Sequence, residues 1–166
     1  MELNLKECIA GLKSNDAAAC CQAAEQLLQP GEQAAPAAVP LIGACAHESD
    51  EVRELAAAAL ENIGPPAVAD IGRLGELAGI EQADAVYWAA TLLGRLGGET
   101  AAAVPNLVGA LCNNSAPATN ERIAWALGKI GPEAQPAFES LQKLANGDSR
   151  LARTAANALA RIEGRA

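Results

Sequence analysis

Few side chains in this chain could carry out nucleophilic, acid–base or metal chemistry, and their spacing does not group them. The 166 residues include one histidine, His47, and five cysteines. His47 precedes Glu48 in a polar stretch, and no two cysteines stand at the spacing of a zinc site. One histidine cannot supply a multi-histidine metal centre. The sequence therefore predicts no metal site and no catalytic residue.

The cysteines leave two interpretations open. Cys20 and Cys21 are adjacent, and vicinal thiols could in principle cross-link or bind a soft metal, which would be a redox role. The favoured interpretation groups them with Cys8, Cys45 and Cys112, which lie in apolar stretches. All five would then be small core residues of a protein in a reducing compartment.

Other groups that could serve an enzyme have simpler explanations. Asp50, Glu51 and Glu54 stand at the expected start of a helix, where carboxylates interact favourably with the helix dipole. The pair Gly97-Gly98 follows no strand pattern, as a phosphate-binding loop would require. We therefore expect a protein without enzymatic activity and without a cofactor.

The charge is acidic overall and unevenly distributed. The formal net charge is −8; residues 1–83 hold 4 Lys/Arg and 13 Asp/Glu, whereas residues 84–166 hold 8 and 7. A net negative chain is a poor ligand for nucleic acid phosphates. No run of 18 apolar residues occurs, and the N-terminus lacks the apolar stretch of a signal peptide. We expect a cytoplasmic protein that binds neither nucleic acid nor membranes.

A short phrase recurs along the chain and defines a repeat. Its apolar positions are Ile63, Leu96, Ile130 and Ile162, which follow one another at a nearly constant period in the low thirties. Each comes three positions after a leucine, and a weaker copy around Leu27 lies one period before Leu60. A period in the thirties is typical of stacked arrays, in which each unit buries its apolar face against its neighbours.

One unit, residues 32–64, contains the pattern of two helices. The apolar stretch 39–46 predicts helix A, and residues 52–63 predict helix B, with a polar turn and Ser49 as N-cap between them. Asp16 and Asp148 stand where Ser49 does in other units. Gly64-Pro65 should end helix B, with the glycine in the left-handed conformation. The predicted fold is an all-α solenoid of about five stacked antiparallel helix pairs. We expect a single domain, 1–166, with units of about 1–31, 32–64, 65–97, 98–131 and 132–166.

The segment 49–64, SDEVRELAAAALENIG, resembles the second helix of a HEAT-type repeat. It is similar in particular to the short HEAT-like repeats of the phycobilisome lyase type. The arginine that follows the valine in that family is present only at Arg53, so an arginine ladder between repeats is missing. The resemblance implies that the B helices line a concave inner surface. It also implies a scaffold or adaptor that binds a peptide or partner protein there.

Two other functions remain open from the same resemblance. One is an accessory subunit of a bilin-lyase-like or cofactor-handling complex. The other is a DNA-binding fold of the glycosylase type, which would need a basic groove, whereas the first half of this chain is acidic.

Equivalent positions on the predicted B helices give a candidate binding surface. Aromatic side chains with charged neighbours are typical of interface hot spots. Taking the positions six and two before each repeat leucine, and two after it, we predict these partner-binding residues: Glu54, Tyr87, Thr91, Arg95, Glu121, Trp125, Lys129, Arg153 and Asn157.

Alternatives remain for four neighbouring residues. Trp88 and Trp125 could instead fill gaps in an alanine-rich core. Gly94 and Gly128 could leave room for a ligand beside the aromatic rings, or they could relieve crowding where B helices approach one another.

Overall fold

A computed structural model describes residues 4–29, 31–113 and 116–165 of the protein. Over these residues the chain is helical and contains no strand, so the all-α prediction is confirmed. The ten α-helices in this part of the chain are α1 Leu5–Leu12, α2 Ala17–Gln26, α3 Ala38–Ala44, α4 Asp50–Asn62, α5 Ile71–Ala78, α6 Ala83–Leu96, α7 Val104–Asn113, α8 Pro117–Ile130, α9 Phe138–Leu144 and α10 Arg150–Ile162. Short 3₁₀ segments, Gly31–Ala37, Val68–Asp70, Gly97–Ala103 and Gly131–Ala137, lead into α3, α5, α7 and α9.

The even-numbered helices α4, α6, α8 and α10 carry the repeat leucines, and α2 ends just before Leu27; we call these five the B helices. Leu27, Leu60, Leu93 and Leu127 are all fully buried. Alanines such as Ala89 and Ala90, four and three positions before the leucine, are also inaccessible to solvent. Because alanine has a short side chain, helices can approach closely there without losing side-chain entropy.

The glycines that follow the repeats end the B helices in two ways. Gly97 (φ 66°, ψ −134°) and Gly131 (φ 76°, ψ −139°) adopt a positive φ, which glycine tolerates because it has no Cβ atom, and each N–H bonds to the repeat carbonyl four positions earlier. The predicted left-handed conformation of Gly64 is wrong. There α4 ends at Asn62 and Ile63 is extended (ψ 146°). Gly64 instead lies against the backbone of Glu32, where a Cβ atom would come within 3.2 Å of its Cα atom.

The predicted N-caps are correct in part. Asp16 accepts a hydrogen bond from the N–H of Ala18 at 3.2 Å and caps α2. Ser49 holds the N-cap position of α4 without a side-chain bond. At α10 the cap is Ser149, which accepts from the N–H of Ala152 at 3.0 Å, so the prediction of Asp148 is wrong by one residue. The serine hydroxyl occupies the position from which it can reach the first turn.

The contacts divide the chain into two compact units, Met1–Ala67 and Val68–Ala166. In the N-terminal unit, α2 packs on α4. In the C-terminal unit, α6 packs on α8 and α8 packs on α10. The B helices of the C-terminal unit therefore form one layer in which equivalent positions are neighbours. A single domain of five repeats over 1–166 stays a prediction.

Residues 1–3, on which part of the signal-peptide argument depends, lie outside the described residues. In the part of the chain that is described, no helix combines the length and the apolar character needed to cross a bilayer.

Candidate partner-binding site

Arg122 of α8 lies between two aromatic rings. Its Cζ atom is 4.9 Å from the centroid of the Tyr87 ring and 5.3 Å from that of Trp125. Its Nη2 atom donates to the Tyr87 hydroxyl at 2.7 Å. Tyr87 in turn packs edge-to-face on Trp88, with ring centroids 5.3 Å apart. Cation–π and hydrogen-bond contacts of this kind fix the guanidinium without neutralising its charge.

Trp125 lies directly on the backbone of α6 at Gly94. A Cβ atom at position 94 would be 2.3 Å from Cζ3 of Trp125, and it would also be 3.1 Å from the Cα atom of Ala126. The glycine is therefore required by the close approach of α8. Of the two interpretations of Gly94, relief of crowding is the correct one, because the indole ring occupies the space.

The equivalent place one repeat later has no aromatic ring over the glycine. Gly128 corresponds to Gly94, and the residue corresponding to Trp125 is Asn157. Asn157 is too short to cover the glycine, and a cleft of ≈ 150 Å³ remains beside Trp125, Gly128, Asn157 and Arg161. We call it the Gly128 cleft. Position 128 itself is crowded by the backbone of α10, because a Cβ atom there would be 2.9 Å from the Cα atom of Ala158.

A second cleft of ≈ 400 Å³ is also lined by Trp125, and we call it the Arg122 cleft. It is lined by Tyr87, Glu121, Arg122, Trp125, Arg150 and Thr154. Glu121 is partly buried, and its Oε1 atom pairs with Nε of Arg150 at 2.7 Å. Trp125 and Thr154 line both clefts, so the two form adjacent parts of one surface between α8 and α10.

The surface carries several positive charges close together. Nζ of Lys129 lies 5.8 Å from the centroid of the Trp125 ring. The pKa of Arg95 is lowered, first by burial and then by the positive charge of Arg122, while Tyr87 opposes the shift. A lowered pKa of this origin means that the two guanidinium groups repel each other. An anion bound between them would relieve that repulsion.

Four of the nine predicted partner-binding residues line the two clefts. Tyr87, Glu121 and Trp125 line the larger cleft, and Asn157 lines the smaller one. Three further predicted residues of the C-terminal unit, Arg95, Lys129 and Arg153, are at least partly exposed. Nη1 of Arg153 donates to the carbonyl of Asp148 at 2.6 Å, so this side chain is directed to the start of its own helix.

The predicted exposure of Thr91 is wrong. Thr91 is 5% exposed, and its Oγ1 atom donates to the carbonyl of Tyr87 at 2.8 Å. The side chain bonds back to its own helix, and the neighbouring helix covers this part of α6. Glu54 is exposed on α4 in the N-terminal unit. Trp88 is 8% exposed, in agreement with the interpretation that it fills the core.

Arg122 and Arg150 were not among the residues predicted from the sequence. Both lie outside the three helical positions from which the candidate surface was built. The spacing in the sequence could have indicated where Arg122 lies. Arg122 stands three positions before Trp125, and Lys129 stands four positions after Trp125. Side chains at these spacings lie on one face of a helix, so the two cations could have been placed beside the indole ring.

The cysteines and the histidine form no comparable site. Cys8, Cys20 and Cys45 are buried as expected, Cys21 is partly buried, and Cys112 is exposed. Cys112 was expected in the core, but it lies one residue beyond Leu111 and so off the apolar stripe of α7. Burial raises the pKa of Cys20, and the charge of Asp16 raises it further. A thiol with a raised pKa is a weak nucleophile at neutral pH, which does not favour a redox role for the vicinal pair.

His47 lies in the turn between α3 and α4. Its Nδ1 atom accepts a hydrogen bond from the N–H of Ser49 at 3.0 Å. Across the described ranges, no three His, Cys, Asp or Glu side chains are placed to hold a metal ion.

Several solved structures with a similar fold are designed repeat proteins. A designed armadillo repeat protein is 19% identical, with a TM-score of 0.66 over 97% of this chain and 83% of that chain. A second one, in complex with the peptide (KR)4, is also 19% identical, with a TM-score of 0.66 over 96% and 82%. A computationally designed armadillo repeat protein for modular peptide recognition is 18% identical, with a TM-score of 0.62 over 98% and 88%. At these identities the similarity shows the fold, and the predicted class of stacked helix pairs, an α-solenoid, is confirmed.

Sequence comparison supplies the family. No curated protein matches the chain. A family model described as HEAT repeats matches residues 73–160, which is more than half of the chain and includes α6, α8 and most of α10. The protein therefore belongs to the HEAT-repeat family.

Proposed function

We propose that this protein is a non-enzymatic scaffold that binds a peptide or a partner protein on the B-helix face of its C-terminal unit. The observation that supports the proposal most strongly is the pair of adjacent clefts that share Trp125 as a lining residue. Tyrosine, tryptophan and arginine are the residue types most enriched at interface hot spots, and here all three are in contact.

These side chains are already held in one conformation, so they lose little conformational entropy on binding. Arg122 is fixed by two rings and a hydroxyl, and Trp125 is fixed against the backbone of Gly94. Ordering a flexible side chain at an interface costs about 0.5–1.5 kcal/mol. Side chains that are already ordered in the free protein avoid that cost, which favours binding at this place.

The similar designed proteins support a peptide as the kind of partner. One was solved with the basic peptide (KR)4, and another was designed for modular peptide recognition. The B-helix face described here is itself cationic around Arg95 and Arg122, so a basic peptide would be repelled. We infer that the fold is used in the same way with a ligand of different charge. Glu54 on the N-terminal unit stays a predicted contact.

The finer parts of the sequence argument also remain proposals: the phycobilisome lyase type of the repeats, a cytoplasmic location, and the cofactor-handling alternative. A visible absorbance band on titration of the purified protein with a tetrapyrrole would support that alternative.

The proposal predicts that Trp125 is a hot spot. Peptides should first be selected from a displayed random library on the wild-type protein. We expect Trp125→Ala to weaken binding of the selected peptides by at least about 1 kcal/mol, because the ring lines both clefts. Calorimetric titration measures the loss.

Val68→Ala is the matched control, because Val68 is 58% exposed and lines neither cleft. It should leave the affinity unchanged. If the double change Tyr87→Ala and Trp125→Ala binds the selected peptides as tightly as the wild type, the proposed surface is wrong.

A further inference from the structure

The charges of the C-terminal unit are separated by helix type. Helices α6, α8 and α10 contain two carboxylates, Asp84 and Glu121, and six cations: Arg95, Arg122, Lys129, Arg150, Arg153 and Arg161. The other described residues of this unit contain three cations and eight carboxylates. The B-helix layer is therefore positive, with a formal charge of +4, on a unit whose remainder is −5. Such a separation selects ligands by charge even when the whole protein is acidic.

The Gly128 cleft has the position and size of a missing aromatic side chain. In the preceding repeat, the indole ring of Trp125 covers Gly94. At Gly128 the corresponding residue is Asn157, and ≈ 150 Å³ stays open. A protein cavity of about 150 Å³ can hold a benzene molecule, so one aromatic ring fits a space of this size. The lining of the cleft includes an aromatic ring and the backbone of a glycine, and an aromatic group packs well on both surfaces.

One cation lines this cleft, and two more lie against the ring that forms one of its walls. Arg161 lines it, and its Cδ atom would lie 3.6 Å from a Cβ atom at Gly128. Lys129 and Arg122 lie 5.8 Å and 5.3 Å from the centroid of the Trp125 ring, which forms one wall. Carboxylates on either side of an inserted ring could therefore pair with arginine and lysine in charge-assisted hydrogen bonds.

We propose that the Gly128 cleft receives an aromatic side chain of an acidic peptide, whose flanking carboxylates pair with Arg122, Lys129 and Arg161. The inference rests on the proposed function, and it adds the chemical class of the partner and the position of its anchor residue. The inserted ring completes the row of aromatic groups that Trp125 begins, because it lies over Gly128 as Trp125 lies over Gly94.

The test uses four synthetic probes and the full chain. One peptide contains a phenylalanine between glutamates; the second replaces the phenylalanine with alanine; the third replaces the glutamates with lysines. The fourth probe is a single-stranded oligothymidylate. We expect the first peptide to bind at least about tenfold more tightly than the second and third, and its affinity to fall as salt is added. Tighter binding of the oligothymidylate than of the acidic peptide would overturn the choice of partner.

Asn157→Trp is the decisive variant, because the new indole ring should fill the cleft in the way that Trp125 covers Gly94. It should abolish binding of the acidic aromatic peptide without lowering the midpoint of thermal unfolding. Val68→Trp is its control, because it adds the same ring at an exposed position that lines neither cleft, and it should bind as well as the wild type. Arg161→Gln changes an exposed side chain and should reduce the preference for glutamate over lysine at least about threefold.

The outcomes separate the two proposals. If peptides bind through Trp125 but Asn157→Trp has no effect, or if charge makes no difference, this inference fails while the proposed function stands. If Trp125→Ala weakens the binding of no library peptide and no synthetic peptide, the proposed function fails as well.

Discussion

Two glycines inside helices, Gly94 and Gly109, have opposite surroundings. We expect Gly94→Ala to lower the free energy of unfolding by about 1–3 kcal/mol, because the new methyl group would overlap Trp125 and meet the backbone of Ala126. Gly109 has no neighbouring atom within 4 Å of an added Cβ. Gly109→Ala should therefore raise the free energy of unfolding by about 0.5–1 kcal/mol, as expected for alanine in a helix.

Urea-induced unfolding of the two variants measures both changes. A Gly94→Ala protein as stable as the wild type would show that Trp125 moves away from Gly94 at little cost. That result would contradict the close packing of α8 on α6.

At the residue scale, the sequence predicted the helix on which each side chain lies better than it predicted the exposure and contacts of that side chain. The repeat placed Tyr87 and Trp125 on neighbouring helices, and both line the same cleft. It could not predict that Thr91 bonds to its own helix, or that Arg122 reaches two rings on different helices. Exposure depends on how closely the next helix approaches, and a single-helix wheel contains no such information. Long side chains also reach beyond the position at which their Cα atom lies.

At the element scale, the caps of α4 and α10 provide a matched pair. Ser149 bonds to the N–H of Ala152, whereas Ser49 holds the same position without a side-chain bond. We expect Ser149→Ala to cost about 1 kcal/mol and Ser49→Ala to cost only a few tenths. Amide hydrogen exchange in the first turns of α10 and α4 measures the difference helix by helix. Equal losses of protection at the two helices would show that the hydroxyl of Ser149 does not cap α10.

The helices themselves were the most predictable part of the structure. Helix B was expected over 52–63 and α4 is Asp50–Asn62; helix A was expected over 39–46 and α3 is Ala38–Ala44. Apolar spacing fixes the interior of a helix because it reports which face is buried. Helix ends depend on contacts between segments. Gly64 does not take a positive φ, and it lies against Glu32, a residue distant in sequence that the local pattern does not include.

At the scale of the whole molecule, charge should control how fast a partner arrives. Residues 1–83, with 4 Lys/Arg and 13 Asp/Glu, carry a formal charge of −9 and would repel an acidic peptide at long range. We expect the double change Glu25→Gln and Glu81→Gln to raise the association rate constant a few-fold at low ionic strength. Above about 0.3 M salt the effect should disappear, because the Debye length is then only a few ångströms and distant charges are screened. Stopped-flow fluorescence with the phenylalanine–glutamate peptide measures the rates.

Both side chains are exposed, so the changes should not affect folding. A change in the dissociation rate that persists at high salt would contradict a purely long-range effect. It would show that Glu25 or Glu81 touches the bound peptide.

The matching of Trp125 with Gly94 has a consequence for how such a chain can grow. Residues 98–131 supply both a tryptophan that fits over a glycine and, at Gly128, a glycine of the same kind. Insertion of a duplicate of this segment directly after itself would place the second tryptophan over Gly128. The segment can thus be copied in tandem without altering its own packing, and each copy would move the open cleft one step further along the array.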